Sequence, residues 1–164
     1  MRVRLATYSE SWPAKFAQAN RRIHHALGTR AKRIEHIGST AVPGLAAKPV
    51  IDILLELDDI ADPAVHEVLA GIDLALVVEE PGHRMFRSAD GDVHVHAWPT
   101  GDPEIERHIL FRNWLRSNEA DRRVYEIEKR RLAAQEWSTQ NDYAQAKSPI
   151  INEILARARE SRKR

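Results

Sequence analysis

The chain has 164 residues, of which 43% are hydrophobic and 30% are charged, a composition typical of one compact globular domain. Its 25 basic and 24 acidic residues give a net charge of +1, which argues against general nucleic-acid binding because that function needs a basic excess. The absence of cysteine excludes disulfides and thiolate metal sites, and the sequence contains neither a membrane-spanning run of ~20 apolar residues nor a signal peptide, so we expect a cytoplasmic protein with no membrane partner.

The first hundred residues predict a mixture of strands and helices. Apolar residues at roughly helical spacing predict a helix from Ser11 to Gly28. A second, short helix is expected over 62–72. The runs 85–88 and 93–98 flank an Asp-Gly turn signal and therefore predict a hairpin. Further strands are predicted over 3–5, 33–37, 50–57 and 74–78.

The remaining third of the chain has a helical pattern. Helices are predicted over 102–115 and 119–137, and a third is predicted from about 138 to near the end. We therefore predict an α+β fold, with a mixed sheet and flanking helices in residues 1–100 and a helical layer in residues 101–164. No linker rich in Gly, Pro or Ser separates the two parts, so a single domain is expected over 1–164.

The most informative segment is 35–57, which reads EHIGSTAVPGLAAKPVIDILLEL. Its Gly38-Ser39 pair could cradle a phosphate, and its apolar strand contains one acid, Asp52. An acid in an apolar strand is costly unless it is paired, hydrogen-bonded or bound to a cation, so Asp52 is a candidate metal ligand and catalytic residue. Lys48 could bind phosphate. The alternatives are an ion-paired structural acid, a capping serine and a solvated lysine.

Two histidines add to this candidate metal site. His94 and His96 alternate on the predicted strand 93–98 and therefore share one of its faces. Neutral imidazole suits Zn, Mn, Fe or Ni, so a strand paired beside Asp52 would complete a site of two histidines and one carboxylate. His36 could join the same site. The alternative is that these histidines lie on a solvated edge or satisfy buried hydrogen bonds.

Other candidate phosphate ligands lie outside this segment. Arg84 precedes the predicted hairpin and Arg112 lies on the first C-terminal helix, and arginine suits phosphate through its bidentate fork. Tyr143 and Lys147 are spaced i, i+4 on the last predicted helix, so both would point the same way, and the pair could reach a nucleotide. Solvated arginines and ordinary helix packing are the alternatives for these residues.

The run HIGSTAVPGLAAKPVIDI closely resembles the signature of the GrpB family. The resemblance continues in HRMF at 83–86, HVHAW at 94–98 and FRNWLR at 111–116, and so covers nearly the whole chain. It implies a nucleotidyltransferase fold related to the DNA polymerase beta superfamily. In that superfamily a Gly-Ser turn binds phosphates, and three acids on two strands hold two Mg ions that activate the attacking hydroxyl and the leaving pyrophosphate.

The match to that superfamily pattern is incomplete. Gly38, Ser39 and Asp52 fit it, but Leu54 occupies the position of the second acid, and the strand of the third acid offers only histidines. The resemblance implies nucleotidyl transfer from a nucleoside triphosphate to an acceptor, with Mg or Mn as the metal and Zn possible. Leu54 leaves open a regulatory module that binds a nucleotide or another phosphorylated small molecule without transfer. Metal-dependent hydrolysis at a site of Asp52 and the two histidines is a third hypothesis.

Overall fold

The computed structural model describes residues 1–164 and contains six α-helices and five strands. In chain order they are α1 (Ser11–Leu27), β1 (Arg33–Ile37), β2 (Ile51–Leu57), α2 (Pro63–Ala70), β3 (Ala75–Glu80), β4 (His83–Arg87), β5 (Val93–Pro99), α3 (Pro103–Ser117), α4 (Glu119–Ala133), α5 (Gln140–Ala146) and α6 (Ser148–Arg162). The predicted α+β class is confirmed. No helix combines the length and the apolar character that crossing a bilayer requires.

The five strands form one mixed sheet in the order β1-β2-β5-β4-β3. The central pair, β2 and β5, is parallel, and every other neighbouring pair is antiparallel. Asp52 on β2 is directly opposite His94 on β5. The sheet register therefore brings the acid predicted as a metal ligand beside the predicted histidines.

The two faces of β2 pack against different helices. Ile53 and Leu55 lie on the face that contacts α1 and α2, in the largest apolar cluster of the protein. Leu54 lies on the opposite face, where it packs with Trp98 of β5 and with Ile105 and other residues of α3. Because side chains alternate along a strand, Asp52 lies on the same face as Leu54. That face is covered by the helices that follow the sheet.

The helices after the sheet are joined to each other and to the segment before β2. Asp102 caps α3 by accepting a hydrogen bond from the Glu104 N–H at 2.9 Å, as expected for an Asp-Pro helix start. The buried Lys129 of α4 donates through Nζ to the Ala46 carbonyl at 2.6 Å. This bond ties the helical layer to the loop between the Gly38-Ser39 turn and β2.

Three predicted elements differ in the structure. The predicted strand 3–5 is absent, and only Ala6 pairs there, with Ala47, as an isolated bridge. The helix predicted over 119–137 ends at Ala133. The last predicted helix is two helices, α5 and α6, because proline at position 149 lacks the N–H needed to continue α5 and instead occupies the first turn of α6.

Candidate functional site

A pocket of about 230 Å³ lies between the Asp52 face of the sheet and the helical layer. Its floor contains the Gly38-Ser39 turn together with Asp52 and His94, and its walls come from α3, α4, α5 and α6. The charged or titratable side chains that line it, apart from its two tyrosines, are Lys48, Asp52, His94, Arg107, His108, Lys129 and Lys147. Residues from both parts of the chain are therefore needed to form the pocket.

The Gly38-Ser39 turn is in direct contact with the Asp52 side chain. Gly38 has a φ of +75°, and a Cβ placed on it would lie 2.9 Å from Asp52 Oδ2 and 3.2 Å from Asp52 Cβ. A side chain at position 38 would therefore suffer both backbone strain and a steric clash. The next residue, Ser39, begins a short 3-10 turn.

Asp52, His94 and His96, which we call the Asp-His-His cluster, have potential ligand atoms that all lie within 4.8 Å of one another. Asp52 Oδ1 lies 3.3 Å from His96 Nε2 and 3.9 Å from His94 Nδ1. Two imidazoles and one carboxylate match the donor set of Mn, Fe, Ni or Zn sites. These residues therefore fit a divalent cation, and the predicted convergence of the three side chains is observed.

The electrostatics of Asp52 and His94 favour the forms that bind a cation. Burial alone would raise the pKa of Asp52, but the contact of its carboxylate with His96, together with the nearby His94 and Lys147, lowers that pKa overall. Burial is also the main reason that the pKa of His94 is lowered. An ionised carboxylate and a neutral imidazole at neutral pH are the forms in which these groups bind metals.

Three lysines, Lys48, Lys129 and Lys147, reach the same pocket. Lys129 is only 2% exposed, and burial followed by the charge of Lys147 lowers its pKa to about 7. Lys48 donates to Gln140 Oε1 at 2.6 Å, and Lys147 Nζ lies 4.9 Å from the centre of the Tyr143 ring. Because Asp52 is the only acid in the lining, the pocket favours an anionic ligand.

The remaining walls are aromatic and aliphatic. Tyr125 and Tyr143 are both buried, and burial raises the pKa of each phenol to about 12. The Tyr143 hydroxyl has no hydrogen-bond partner, which is uncommon for a buried polar atom. Together with Phe111 and Ile151, these rings give the pocket an apolar side that could hold a flat ring system.

The structure brings most of the predicted site residues together. Those that line the pocket are Gly38, Ser39, Lys48, Asp52, His94, Tyr143 and Lys147. His96 is absent from the lining but contacts Asp52 from the neighbouring strand.

Three of the predicted residues lie elsewhere. Arg112 is buried, and it donates to Glu35 Oε2 at 2.7 Å and to the His36 carbonyl at 3.0 Å. Arg84 donates to the Glu80 carbonyl at 2.7 Å and does not line the pocket. The His36 ring stacks on Phe16 and bonds to the Thr40 hydroxyl, away from Asp52. All three residues therefore lie outside the pocket. This corrects the expectations that Arg84 and Arg112 bind phosphate there and that His36 joins the metal site.

Among the lining residues with titratable side chains, four were not predicted as site residues, namely Arg107, His108, Tyr125 and Lys129. A signal for Lys129 was present in the sequence. Tyr125, Lys129 and Leu132 are spaced i, i+4, i+7 and therefore share one helical face, and a lysine on an otherwise apolar face needs a reason. Arg107 and His108 gave no such signal, because their spacing from Glu104 is that of ordinary ion pairs on a helix surface. Both do lie within 3.6 Å of Glu104 Oε2 in the structure.

A mixed sheet with helices on both faces, and an acid on a central strand beside a Gly-Ser turn, defines a nucleotidyltransferase-like fold. A chain in the structure of the GLD-2/RNP-8 complex has a similar fold, with a TM-score of 0.53 and 11% identity over 91% of this chain and 59% of that chain. At this identity the likeness concerns the fold alone.

The chain belongs to the GrpB family. The model of that family, described as GrpB protein, matches residues 2–157. It is 43% identical over 160 residues to the UPF0157 protein BH1888 of Halalkalibacterium halodurans, covering 95% of this chain and 82% of that protein. The crystal structure of the conserved protein GrpB from Enterococcus faecalis aligns with a TM-score of 0.87 and 29% identity, over 98% of this chain and 100% of that one. The family resemblance read from the sequence is thus confirmed.

Proposed function

We propose that the protein binds a nucleotide together with a divalent cation in this pocket and transfers a nucleotidyl group to an acceptor. The observation that supports this proposal best is the meeting of the Asp-His-His cluster and three lysines in one pocket. A cation site beside several ammonium groups suits a polyphosphate, because both a cation and ammonium groups can neutralise phosphate charge.

The residues have separate roles in this proposal. Asp52, His94 and His96 hold the cation, which when bound would neutralise phosphate charge and polarise the phosphorus-oxygen bonds. Lys48, Lys129 and Lys147 bind phosphate oxygens. The apolar side of the pocket, with Tyr125 and Tyr143, holds the base or sugar, and the Tyr143 hydroxyl donates a hydrogen bond to it.

The donor set supports Mn or Zn over Mg as the resident cation. Mg prefers oxygen ligands, whereas two of the three donors here are imidazole nitrogens. We therefore expect tighter binding of Mn or Zn than of Mg. This preference refines the expectation from the sequence, in which Mg and Mn were equally favoured.

A second candidate function is supported by Leu54. Leu54 is fully buried among apolar side chains and offers no ligand atom. The Asp-His-His cluster therefore has a single acid, whereas two-metal transfer uses several acids. A module that binds the nucleotide without transferring it would retain the lysines and the cation site. Such a module would act through its ligand-bound state alone.

Turnover measurements distinguish the two functions. Thermal unfolding should be measured with each of the four nucleoside triphosphates and with Mg, Mn or Zn, followed by assays for pyrophosphate release. We expect a rise in melting temperature with metal and nucleotide together, since a ligand that binds only the folded state stabilises it. Asp52→Asn should abolish this rise, whereas Asp58→Asn, a change at an exposed acid just after β2, should not.

Each outcome has a clear meaning. Pyrophosphate release that depends on Asp52 supports transfer, whereas stabilisation without release supports the binding module. If the wild type and Asp52→Asn respond alike to every combination, both proposals are wrong.

A further inference from the structure

Behind the Asp-His-His cluster, a line of close polar contacts joins side chains from four strands of the sheet. Glu80 Oε1, at the end of β3, lies 2.6 Å from Nδ1 of His83 on β4. His83 Nε2 lies 3.2 Å from Nδ1 of His96 on β5, and His96 Nε2 lies 3.3 Å from Asp52 Oδ1 on β2. The two histidines are therefore connected at one end to an exposed carboxylate and at the other to the carboxylate of the candidate site.

The three contacts along this line cannot all be hydrogen bonds while both imidazoles are neutral, because the carboxylates at its two ends can only accept. The contact with Glu80 is the shortest, at 2.6 Å, and the contact with Asp52 is the longest, at 3.3 Å, so we place the missing hydrogen at Asp52. An ionised carboxylate can only accept, so His83 Nδ1 must carry a hydrogen. In a neutral imidazole the other nitrogen, Nε2, is then an acceptor, and it can only accept from His96 Nδ1–H. The same rule leaves His96 Nε2 without a hydrogen and with its lone pair facing Asp52.

This arrangement places two acceptors, His96 Nε2 and Asp52 Oδ1, 3.3 Å apart. Two lone pairs that face each other at this distance repel unless a cation lies between or beside them. The opposite tautomer of His96 would let Nε2–H donate to Asp52 and would remove the cation site. The tautomer of His96 thus determines whether its Nε2 donates a hydrogen bond to Asp52 or is free to bind a cation.

We propose that His83 and Glu80 are positioning residues, which hold His96 in the Nδ1–H tautomer and so keep its Nε2 free to bind a cation beside Asp52. Neither residue lines the pocket. Partners that fix the tautomer of a ligating histidine are a general feature of metal sites. The functional value of this arrangement rests on the cation site proposed above, but the tautomer itself can be tested without any metal.

The direct test is the tautomer of His96 in the metal-free protein. Two-bond ¹H–¹⁵N correlation spectra at mildly alkaline pH, where imidazoles are neutral, report which ring nitrogen carries the hydrogen. We expect Nδ1–H in the wild type. In His83→Phe we expect Nε2–H, because Asp52 becomes the only acceptor left for the ring. Phenylalanine retains the aromatic contact between position 83 and Trp98, whose rings lie 5.2 Å apart.

Metal binding gives the second readout. Calorimetric titration with Zn²⁺ or Mn²⁺ alone should show a loss of affinity of about 10–100-fold in His83→Phe. Glu80→Gln should cause a smaller loss, because an amide can also donate and no longer fixes the ring. The matched control is Glu79→Gln, since Glu79 is similarly exposed, neighbours Glu80 and lies 3.8 Å from Arg84 instead. We expect this control to bind metal like the wild type.

The outcomes separate this inference from the proposed function. An Nε2–H tautomer in the wild type, or an unchanged tautomer in His83→Phe, would overturn the inference. A wild type that has the Nδ1–H tautomer but binds no cation would refute the metal site and leave the positioning role of His83 supported by the spectra.

Discussion

Gly38 and Asp52 are in contact, so the conformation of the Gly38-Ser39 turn and the position of the candidate metal ligand depend on each other. We predict that Gly38→Ala destabilises the protein by about 1–3 kcal/mol, from the positive φ together with the clash with Asp52. It should also abolish cation binding, because the carboxylate must move to make room for the methyl group.

The matched control for Gly38→Ala is Gly91→Ala. Gly91 has a similar φ of +80°, but a Cβ there would meet no atom within 4 Å. This variant should show the backbone strain without any effect on cation binding. The free energy of unfolding from urea titration and the dissociation constant for Mn²⁺ distinguish the two effects. If both variants lose cation binding equally, the contact with Asp52 is not responsible.

Lys129 should make the stability of the protein depend on pH. Burial lowers its pKa from 10.5 to about 7 in the folded state, whereas the unfolded chain keeps a pKa near 10.5. Between these values the unfolded state binds more protons, so the free energy of unfolding should rise with pH from about 7 to 10.5.

The measurement compares the wild type with Lys129→Met by urea unfolding at several pH values from neutral to alkaline. The difference in free energy should increase by at most about 1.4 kcal/mol per pH unit, in favour of the wild type at higher pH. Lys163→Met, which changes a lysine whose side chain is 73% exposed, should give no such slope. Parallel curves for the wild type and Lys129→Met would mean that Lys129 is charged in the folded protein throughout this range.

At the scale of elements, β2 is buried on both faces except at Asp52, which contacts the pocket, and at Glu56, which is half-buried. Leu54, in the position of a second acid, is 0% exposed among Ile37, Trp98 and the side chains of α3. The packing of α3 on the sheet thus leaves no open space beside Leu54 for an ion or a hydrated carboxylate. The leucine at this position is therefore part of the core.

We predict that Leu54→Asp destabilises the protein by about 3–5 kcal/mol and creates no second metal site, because it removes core packing and buries an unpaired charge. Leu54→Met should cost less than about 1.5 kcal/mol, since it conserves volume. Urea unfolding measures both costs, and calorimetry gives the number of bound Mn²⁺ ions. A stable Leu54→Asp variant that binds one more ion than the wild type would contradict this account.

The positions of strands and helices were largely predictable from periodicity, but the pairing of side chains was predictable only in part. Asp52, His94 and His96 could be placed together because alternation on two strands leaves few arrangements. Arg112 could not be placed, because its pairing with Glu35 depends on how α3 crosses β1. The apolar face of α4 marks Lys129 as unusual, but its partner could not be predicted, because nothing in the local sequence shows that α4 returns to the loop before β2.

At the scale of the whole molecule, one acid joins three helices of the layer that covers the pocket. Asp121 of α4 accepts hydrogen bonds from both Nε and Nη2 of Arg157 on α6, and the distance from Nη2 to Asp121 Oδ1 is 2.7 Å. It also accepts one from Trp114 Nε1 on α3, at 2.6 Å. The hydrogen bonds from Arg157 are the largest reason that the pKa of Asp121 is lowered.

We predict that Asp121→Asn destabilises the protein by about 1–3 kcal/mol, since an amide cannot accept all of these bonds, loses the charge that faces Arg157 and leaves part-buried donors unpaired. Glu119→Gln is the matched control on the same helix. It breaks a fully surface pair with Arg123, in which both side chains are more than two-thirds exposed, and should change the unfolding free energy by less than about 0.5 kcal/mol. Equal effects of the two variants in urea unfolding would refute a structural role for Asp121.

The parallel pairing of β2 with β5 also has a consequence for the order of folding. Three further elements of the chain separate these two strands, and β5 lies between β2 and β4 in the sheet. Non-local pairings of this kind form slowly, and we expect β2 and β5 to pair only after the transition state for folding, so that a ligand needing both strands does not stabilise that state. A cation bound by Asp52, His94 and His96 would therefore slow unfolding far more than it accelerates folding, and would act on the lifetime of the native state.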